Sequence, residues 1–484
     1  MGLADESVDD SARLLRRLVI AAGCAAALLF ILVGLVFQLQ TYGDGSIFSY
    51  AVATREVWAF HWHNIATRLA TYALTLAPGE IVVAMTGSPS AGVFVYGLCL
   101  FAAPLLSLAA TFALDRAPRR PYFVTACAST ALLAPLCFGF PTEMWIAHAV
   151  FWPAFACAMT LPVSASSTAL LAALTAALVL SHEGGLVLGF GIVVATALRG
   201  LRDARFLRAI ACFGLAASVW LAVNHFARPD DYFGEVRLRA ASEFFESRVF
   251  ASPLLLLLTA ALVGYGVVCA LLSRVAARRA PLLASLVVAC ALCLWWALFD
   301  RALHADNRYY LRTVLLIGTC AFAALVGLVQ LAREQGIVAR APLLVRGLDA
   351  LRAPSVARAA IGAVALVALV HVVETAKFVR GFSAYRASVK ALALGAAADP
   401  VLGAPFLVSA RHIGDDLNRL SWFSTTPYLS ALVADFRPRR LVVDPAGNYF
   451  WLSCATATDA ALAPRVAPKE TRDMIRVYSC LHRN

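Results

Sequence analysis

The chain has 484 residues, of which 61% are hydrophobic and 14% charged, with a formal net charge of +12 and a mean hydropathy of +0.76. This composition excludes an ordinary soluble domain, where about 45–50% of residues are apolar and about 25% charged, and describes a chain whose solvent is largely lipid. The basic excess lies mostly in short loops between apolar runs, so it requires no polyanionic partner and excludes nucleic acid from the expected ligands.

A spanning helix needs about 20 apolar residues, because the hydrocarbon core is about 30 Å thick and a helix rises about 1.5 Å per residue. Residues 1–17 carry Arg13, Arg16 and Arg17 and read as a cytoplasmic N-terminal segment. Long apolar runs follow near 18–37, 90–114, 121–140, 144–162, 206–226, 252–273, 281–299, 311–331 and 355–376. The first lacks a small-residue exit and reads as a span or signal anchor rather than a cleaved leader. Two shorter arms, near 166–181 and 185–198, flank the stretch SHEGG. The expected fold is an all-α polytopic membrane bundle of about eleven transmembrane helices over residues 18–376, followed by a small C-terminal α/β periplasmic domain over 377–484.

Orientation follows from Lys and Arg in the short connections. Clusters at Arg116–Arg120, Arg199–Arg208, Arg274–Arg279 and Arg333–Arg358 join the N-terminal arginines on one face if the crossings alternate. That face then holds about twice as many basic residues as the other, as a cytoplasmic side should. Arg116–Arg120 and Arg199–Arg208 share a face only if 166–198 forms two short helices. His182 and Glu183 then lie at a recessed hairpin tip on the outer face.

The first outer loop, residues 38–89, contains TYGDGSIFSYAVATREVWAFHWHNIATRLATYALTLAPGE. It is too apolar for a solvated loop and too charged for a clean span, and reads as interfacial helices forming a lid, with Trp58, Trp62, Tyr50 and Tyr72 as interface anchors. Asp44, between Gly43 and Gly45, reads both as a general base or metal ligand at a cavity mouth and as a turn residue capping a helix that starts near Ile47. HWH at His61–His63 suggests a metal site, but i, i+2 residues on a helix do not face one another.

Further outer connections carry Glu143 in PTEMW, and His182 with Glu183. Glu143 fits a first helical turn after a Thr142 cap as well as a functional carboxylate. A tight hairpin needs glycine but not a His-Glu pair, which favours a functional role for His182 and Glu183. FDRALHADNRYYLRT supplies Arg301, His304, Arg308, Tyr309 and Arg312. Arg308 and Arg312 are i, i+4 neighbours, and the planar guanidinium fork suits phosphate oxygens. The same residues also fit snorkelling arginines with a tyrosine belt.

In the last hundred or so residues the apolar runs shorten, and PFLVSA, RLVVDP, YFWLSC and MIRVYSC read as strands separated by turn residues. Of the twelve cysteines, only Cys454 and Cys480 fall in this region, and they form a disulfide candidate in an oxidising compartment.

This layout resembles the GT-C superfamily of integral-membrane glycosyltransferases: a cytoplasmic N-terminus, a first span leading to a long outer loop with an early Asp44, a multi-span bundle, an outer Arg-Tyr cluster and a C-terminal periplasmic domain. The resemblance implies inverting transfer of a sugar from a polyprenyl-phosphate donor to an envelope lipid, glycan or protein acceptor, at the outer face of a bacterial-type inner membrane. By the same analogy Asp44 is the acceptor-activating base, and Arg308 or Arg312 holds the donor phosphate. Glu143 and Glu183 are further candidate catalytic carboxylates; Arg301, Tyr309, His182 and His304 are candidate substrate ligands. Some members of the superfamily use a divalent cation, Mg2+ or Mn2+. Here the Asp stands alone rather than in a DD or DE pair, and no WWDYG-type acceptor motif is present. The alternatives are a transporter or flippase for a lipid-linked or small anionic substrate, and a non-enzymatic scaffold for envelope assembly. SHEGG suits the broken helix of a transporter, but no matching break occurs in the other half of the chain.

Overall fold

The computed structural model describes residues 2–55, 66–139, 142–227, 252–300, 311–334, 353–395, 407–421 and 425–443. The apolar runs fold as helices: α1 (Gly2–Val36), α2 (Asp44–Thr54), α3 (Leu69–Thr86), α4 (Pro89–Leu114), α5 (Pro121–Leu133), α6 (Glu143–Thr160), α7 (Ala165–Val179) and α8 (Gly184–Ala197). They continue with α9 (Ala204–Ala227), α10 (Pro253–Ala276), α11 (Ala280–Leu298), α12 (Arg312–Glu334) and α13 (Pro354–Leu394). The ends match local chemistry. Ser88 caps α4, Thr142 caps α6, and Ser164 forms a capping box with Ser167 at the start of α7.

Eight helices among the described residues are long and apolar enough to cross a membrane: α1, α3, α4 and α9 to α13. Leu106, Leu215, Val263, Leu294 and Leu328, on five of them, are each more than half exposed. Apolar exposure on this scale fits helices solvated by lipid. The runs near 121–140, 166–181 and 185–198 form shorter apolar helices.

The largest difference from the sequence reading concerns α3. Residues 69–86 lie within the loop that reads as interfacial, yet have the length and hydropathy of a span. The reason is the uninterrupted run from Leu69 to Leu76 and from Ile81 to Met85, which Glu80 alone punctuates with charge. α3 packs antiparallel on α4. A Cβ on Gly79 would come within 2.8 Å of the Gly92 carbonyl oxygen, and Thr71 and Thr75 share a pocket with Tyr96 and Leu100. At the end of α1, Gly34 packs on Phe101 and Gln40 on Gly97. The first turns of α4 therefore project past α1, together with α3.

The basic loops gather at one end of the bundle. Arg16 donates to the Arg119 carbonyl at 3.1 Å, and Arg199 pairs with Glu334 at 2.7 Å. Arg208, only 5% exposed, donates to the carbonyls of Cys157, Ala158, Leu161 and Pro162 and to the Ser167 hydroxyl, closing the α6–α7 connection. At the opposite end lie α2, the start of α3, the start of α6 and the α7–α8 turn.

α13 runs unbroken across residue 376. It is joined to the end of α1, where Arg386 donates to the Phe37 carbonyl. Beyond it, β1 (Leu407–Ser409) and β2 (Leu441–Val443) pair in parallel, Leu407 opposite Leu441. Parallel pairing requires a crossover, and α14 (Thr426–Val433) lies within it. This segment is docked on the bundle: Ser46 of α2 donates to the Thr425 carbonyl at 3.0 Å, the Tyr50 and Tyr428 rings meet at a tilt with centroids 5.7 Å apart, and Tyr385 of α13 bonds Thr426 at 3.1 Å. Val408, Tyr428 and Leu441 share one apolar core with Phe30, Tyr42 and Leu133. The runs YFWLSC and MIRVYSC, with Cys454 and Cys480, lie outside the described residues.

Candidate functional site

The site is built where α7 breaks into α8. Ser181 and His182 leave the helix, and two glycines allow the return. A Cβ on Gly185 would lie 2.0 Å from the Leu178 carbonyl oxygen, and one on Gly184 would lie 2.6 Å from the Met144 sulfur. The tip is stitched to the start of α3 by Ala70 N–H donating to the Leu180 carbonyl and the Thr71 hydroxyl donating to the Ser181 carbonyl, both at 3.0 Å. These bonds carry Arg68 to the tip.

Arg68 uses its fork on two carboxylates. Nη2 donates to Glu183 Oε2 at 2.9 Å and Nη1 to Glu143 Oε1 at 3.0 Å. All three side chains are at least three-quarters buried. Burial acts to raise the Glu183 pKa, but the Arg68 charge and hydrogen bonds outweigh it and hold the carboxyl down at about 2. His182 Nδ1 accepts from the Gly184 N–H at 2.9 Å, so the neutral ring carries its proton on Nε2, which faces Glu183 Oε2 at 3.6 Å. Burial lowers the His182 pKa to about 4, against the pull of Glu183, and keeps the ring neutral.

Glu143 fits the helix-start reading and has an ion-pair partner as well. It occupies the first turn of α6, after Thr142, whose hydroxyl accepts from the Met144 N–H at 3.4 Å, and it is also paired with Arg68. Asp44 departs from the capping expectation. The helix starts at Asp44 itself, not near Ile47, and Gly43 is the N-cap with φ 54° and no side-chain capping bond to α2. Glycine adopts this left-handed region at no steric cost. The Asp44 carboxylate makes no hydrogen bond or ion pair among the described residues. Burial first and Glu143 second raise its pKa to about 7, while Arg312 and Arg68 act to lower it.

The structure thus brings together Asp44, Glu143, His182, Glu183 and Arg312, drawn from α2, α6, the α7–α8 turn and α12. Arg301, His304, Arg308, Tyr309 and the HWH at His61–His63 lie outside the described residues. Arg68, which joins the cluster, is not among the residues singled out from sequence. Its signal is a lone arginine at the head of the apolar run LATYALTL, a position whose charge demands a nearby counter-charge. Among the described residues no group of three or more His, Cys, Asp or Glu side chains is placed to hold a metal ion. Glu143 and Glu183 are already engaged by Arg68, so this donor set does not fit a divalent cation.

Chemically, the arrangement offers a carboxylate that titrates near neutrality, cations beside it, and a rigid neutral histidine. A general base is most effective with its pKa near the working pH. No protein-family model, curated protein or solved structure matches the chain.

Proposed function

We propose that this chain is an integral-membrane glycosyltransferase that moves a sugar from a polyprenyl-phosphate donor to an envelope lipid, glycan or protein acceptor. In this reading about eleven spans place the cluster at the outer face of a bacterial-type inner membrane, with the C-terminal residues forming an α/β domain in the periplasm. The observation that carries it is Asp44: a carboxylate with no hydrogen bond or ion pair among the described residues, raised to about 7 by burial and Glu143 against the influence of Arg312 and Arg68, at one end of an apolar helical bundle.

Asp44 accepts the proton of the acceptor hydroxyl as its oxygen attacks the anomeric carbon. The bond from that carbon to the phosphate oxygen breaks, its electron pair leaves with the phosphate, and the anomeric configuration inverts. Arg312, with Arg308 as its i, i+4 neighbour in sequence, stabilises the departing charge. Glu143 and Glu183 position Arg68, and Glu183, held down at about 2 against its burial by the Arg68 charge and hydrogen bonds, does not compete as a base. α2 and the C-terminal segment docked on it exclude water that would hydrolyse the donor.

The test is transfer by purified protein in nanodiscs, using radiolabelled polyprenyl-phosphate sugars and an envelope extract. Transfer or donor hydrolysis should fall at least about 100-fold in Asp44→Asn, the scale of general-base loss, and be partly retained in Asp44→Glu. Absence of any donor consumption by the wild type, or full activity in Asp44→Asn, would overturn the reading.

A further inference from the structure

At the basic end of the bundle, α4 and α5 are joined by the short stretch DRAPRR, residues 115–120. Its backbone is fixed from within. Asp115, 1% exposed, accepts the Ala117 N–H at 3.1 Å and the Phe123 N–H at 3.0 Å. The Arg116 N–H donates to the Thr160 hydroxyl at 3.2 Å, and Arg16 of α1 donates to the Arg119 carbonyl at 3.1 Å. Between these ties Arg119 and Arg120 both take left-handed backbone, with φ 63° and 46°. Two such residues in succession, neither a glycine, are unfavourable, and strain of this kind gathers at ligand clamps.

The turn sends the Arg120 side chain back over α4. Its guanidinium carbon lies 3.5 Å from the centre of the Phe112 ring, which meets Phe123 edge to face at 5.1 Å. Phe112 is 47% exposed, on a helix with the length and hydropathy of a span. An arginine that only snorkels extends away from the apolar surface into water. Arg120 instead rests on the ring, with its Nη1 buried and without a hydrogen bond among the described residues.

Other arginines at this end are satisfied inside the protein: Arg199 by Glu334, Arg205 by the Met159 carbonyl, and Arg208 by carbonyls of α6. Among the described residues the side chains of Arg116, Arg119 and Arg120 make no ion pair and no hydrogen bond. Arg116 and Arg119 are exposed. The acid nearest them in sequence, Asp115, feels the Arg120 charge but has both oxygens on backbone N–H groups.

The geometry points to a binding site for the phosphodiester of an anionic phospholipid, of the phosphatidylglycerol type, at the α4–α5 turn. Arg116, Arg119 and Arg120 hold the phosphate oxygens, for which guanidinium forks are suited, and the Phe112 ring takes the first methylenes of an acyl chain. Basic pockets between spans bind lipid headgroups in this way. A zwitterionic lipid would bring its own cation against three arginines, and free phosphate would gain nothing from the exposed ring.

The test counts lipid retained on the full-length protein by native mass spectrometry, in detergent titrated with phosphatidylglycerol, phosphatidylcholine or inorganic phosphate. At the first site to fill, phosphatidylglycerol should bind at least tenfold more tightly than phosphatidylcholine. Arg116→Gln combined with Arg119→Gln should weaken it at least tenfold, since each arginine near an anionic headgroup contributes about fivefold. Both side chains are exposed and unbonded, so the lipid-free melting temperature should match the wild type. Arg120→Gln alone should weaken binding about fivefold by the same reasoning. Arg274→Gln with Arg278→Gln removes equal charge from the loop between α10 and α11 and should leave binding unchanged. Equal affinity for the two lipids, an equal loss in the Arg274 and Arg278 variant, or displacement of the lipid by an equal concentration of inorganic phosphate would overturn the site. Sugar transfer enters none of these readouts, so the site and the transferase reading stand or fall separately.

Discussion

Arg68 and Glu143 meet at 3.0 Å across 75 residues of sequence, with side chains 12% and 8% exposed. Because Glu183 takes the other arm of the same guanidinium, one residue at the start of α3 ties α6 to the α7–α8 turn. Arg68→Ala leaves two buried carboxylates uncompensated, and should cost about 3–5 kcal/mol. Lysine offers a point charge in place of a fork, so Arg68→Lys should recover little of this. Combining Arg68→Met with Glu143→Gln and Glu183→Gln should recover most of it. Thermal melts in one detergent would check the order, and a triple variant no more stable than Arg68→Ala would disprove the charge-balance account.

Asp44 carries the opposite stability cost. Its folded-state pKa of about 7 lies above the ordinary 3.8, so between these values the folded chain binds more protons than the unfolded one. Stability contributed by this group is therefore lost as pH rises from about 4 to about 7, at no more than ~1.4 kcal/mol for each pH step of one. Asp44→Asn mimics the neutral form. It should melt with the wild type near pH 4 and above it at pH 8. His182, with its pKa lowered to about 4, gives a slope of the other sign between about 6.5 and 4, but that slope is common to both proteins and cancels in the difference. A wild-type to Asp44→Asn difference that does not change with pH would show that Asp44 ionises normally.

The same titration sets an activity limb. If Asp44 is the base, transfer should decline below about pH 7 as the carboxylate protonates, with its acid-limb midpoint near the raised pKa. A pH profile of donor consumption measures this directly. A midpoint near 4 would assign the base to an ordinary carboxylate instead.

How much of this is legible in sequence depends on what each residue costs. The bundle is readable because apolar length alone dictates spanning helices, and the break at SHEGG because two glycines interrupt an otherwise continuous run. Asp44, Glu143, His182, Glu183 and Arg312 stand out as ionisable groups at span ends. Arg68 does not, because it follows Arg55 and Glu56 in a stretch that reads as interfacial, where a single further charge carries no special cost. α3 is hidden for the same reason, since its apolar run begins only after those charges. Antiparallel packing through Gly79 and Gly92 is a tertiary fact with no local signature. The docking of Ser46 on Thr425 joins positions 379 residues apart, which no periodicity reports.

The α7–α8 turn should respond unequally to its two glycines. Gly185→Ala puts a methyl group 2.0 Å from a backbone carbonyl oxygen, and the contacts through Leu178 cannot yield without moving α7. Gly184→Ala meets the Met144 sulfur at 2.6 Å, on a flexible side chain that can rotate away. Gly185→Ala should thus cost about 1–3 kcal/mol or more, the range for overpacking, and Gly184→Ala less. Paired thermal melts decide, and equal losses would mean that the tip relaxes as a unit.

Arg208, at the far end of the bundle, separates structural from topological roles for a basic loop residue. By sequence it is one of several arginines in a connection read as cytoplasmic, where the loss of one charge among many should not change orientation. In the structure it is 5% exposed, with Nη2 on the Cys157 and Ala158 carbonyls at 3.2 and 3.1 Å and Nη1 on the Ser167 hydroxyl at 2.9 Å. It therefore satisfies the Ala158 carbonyl in the last turn of α6, shares that of Cys157 with the Leu161 N–H, and places a cation at that helix's negative end. Arg208→Ala should cost about 2–4 kcal/mol through these orphaned acceptors, and Arg208→Lys an intermediate amount. Reporter fusions at the termini should show unchanged orientation in both variants. A flipped reporter with an unchanged melt would assign Arg208 to topology, because the clamp at α6 predicts a lowered melt with unchanged orientation.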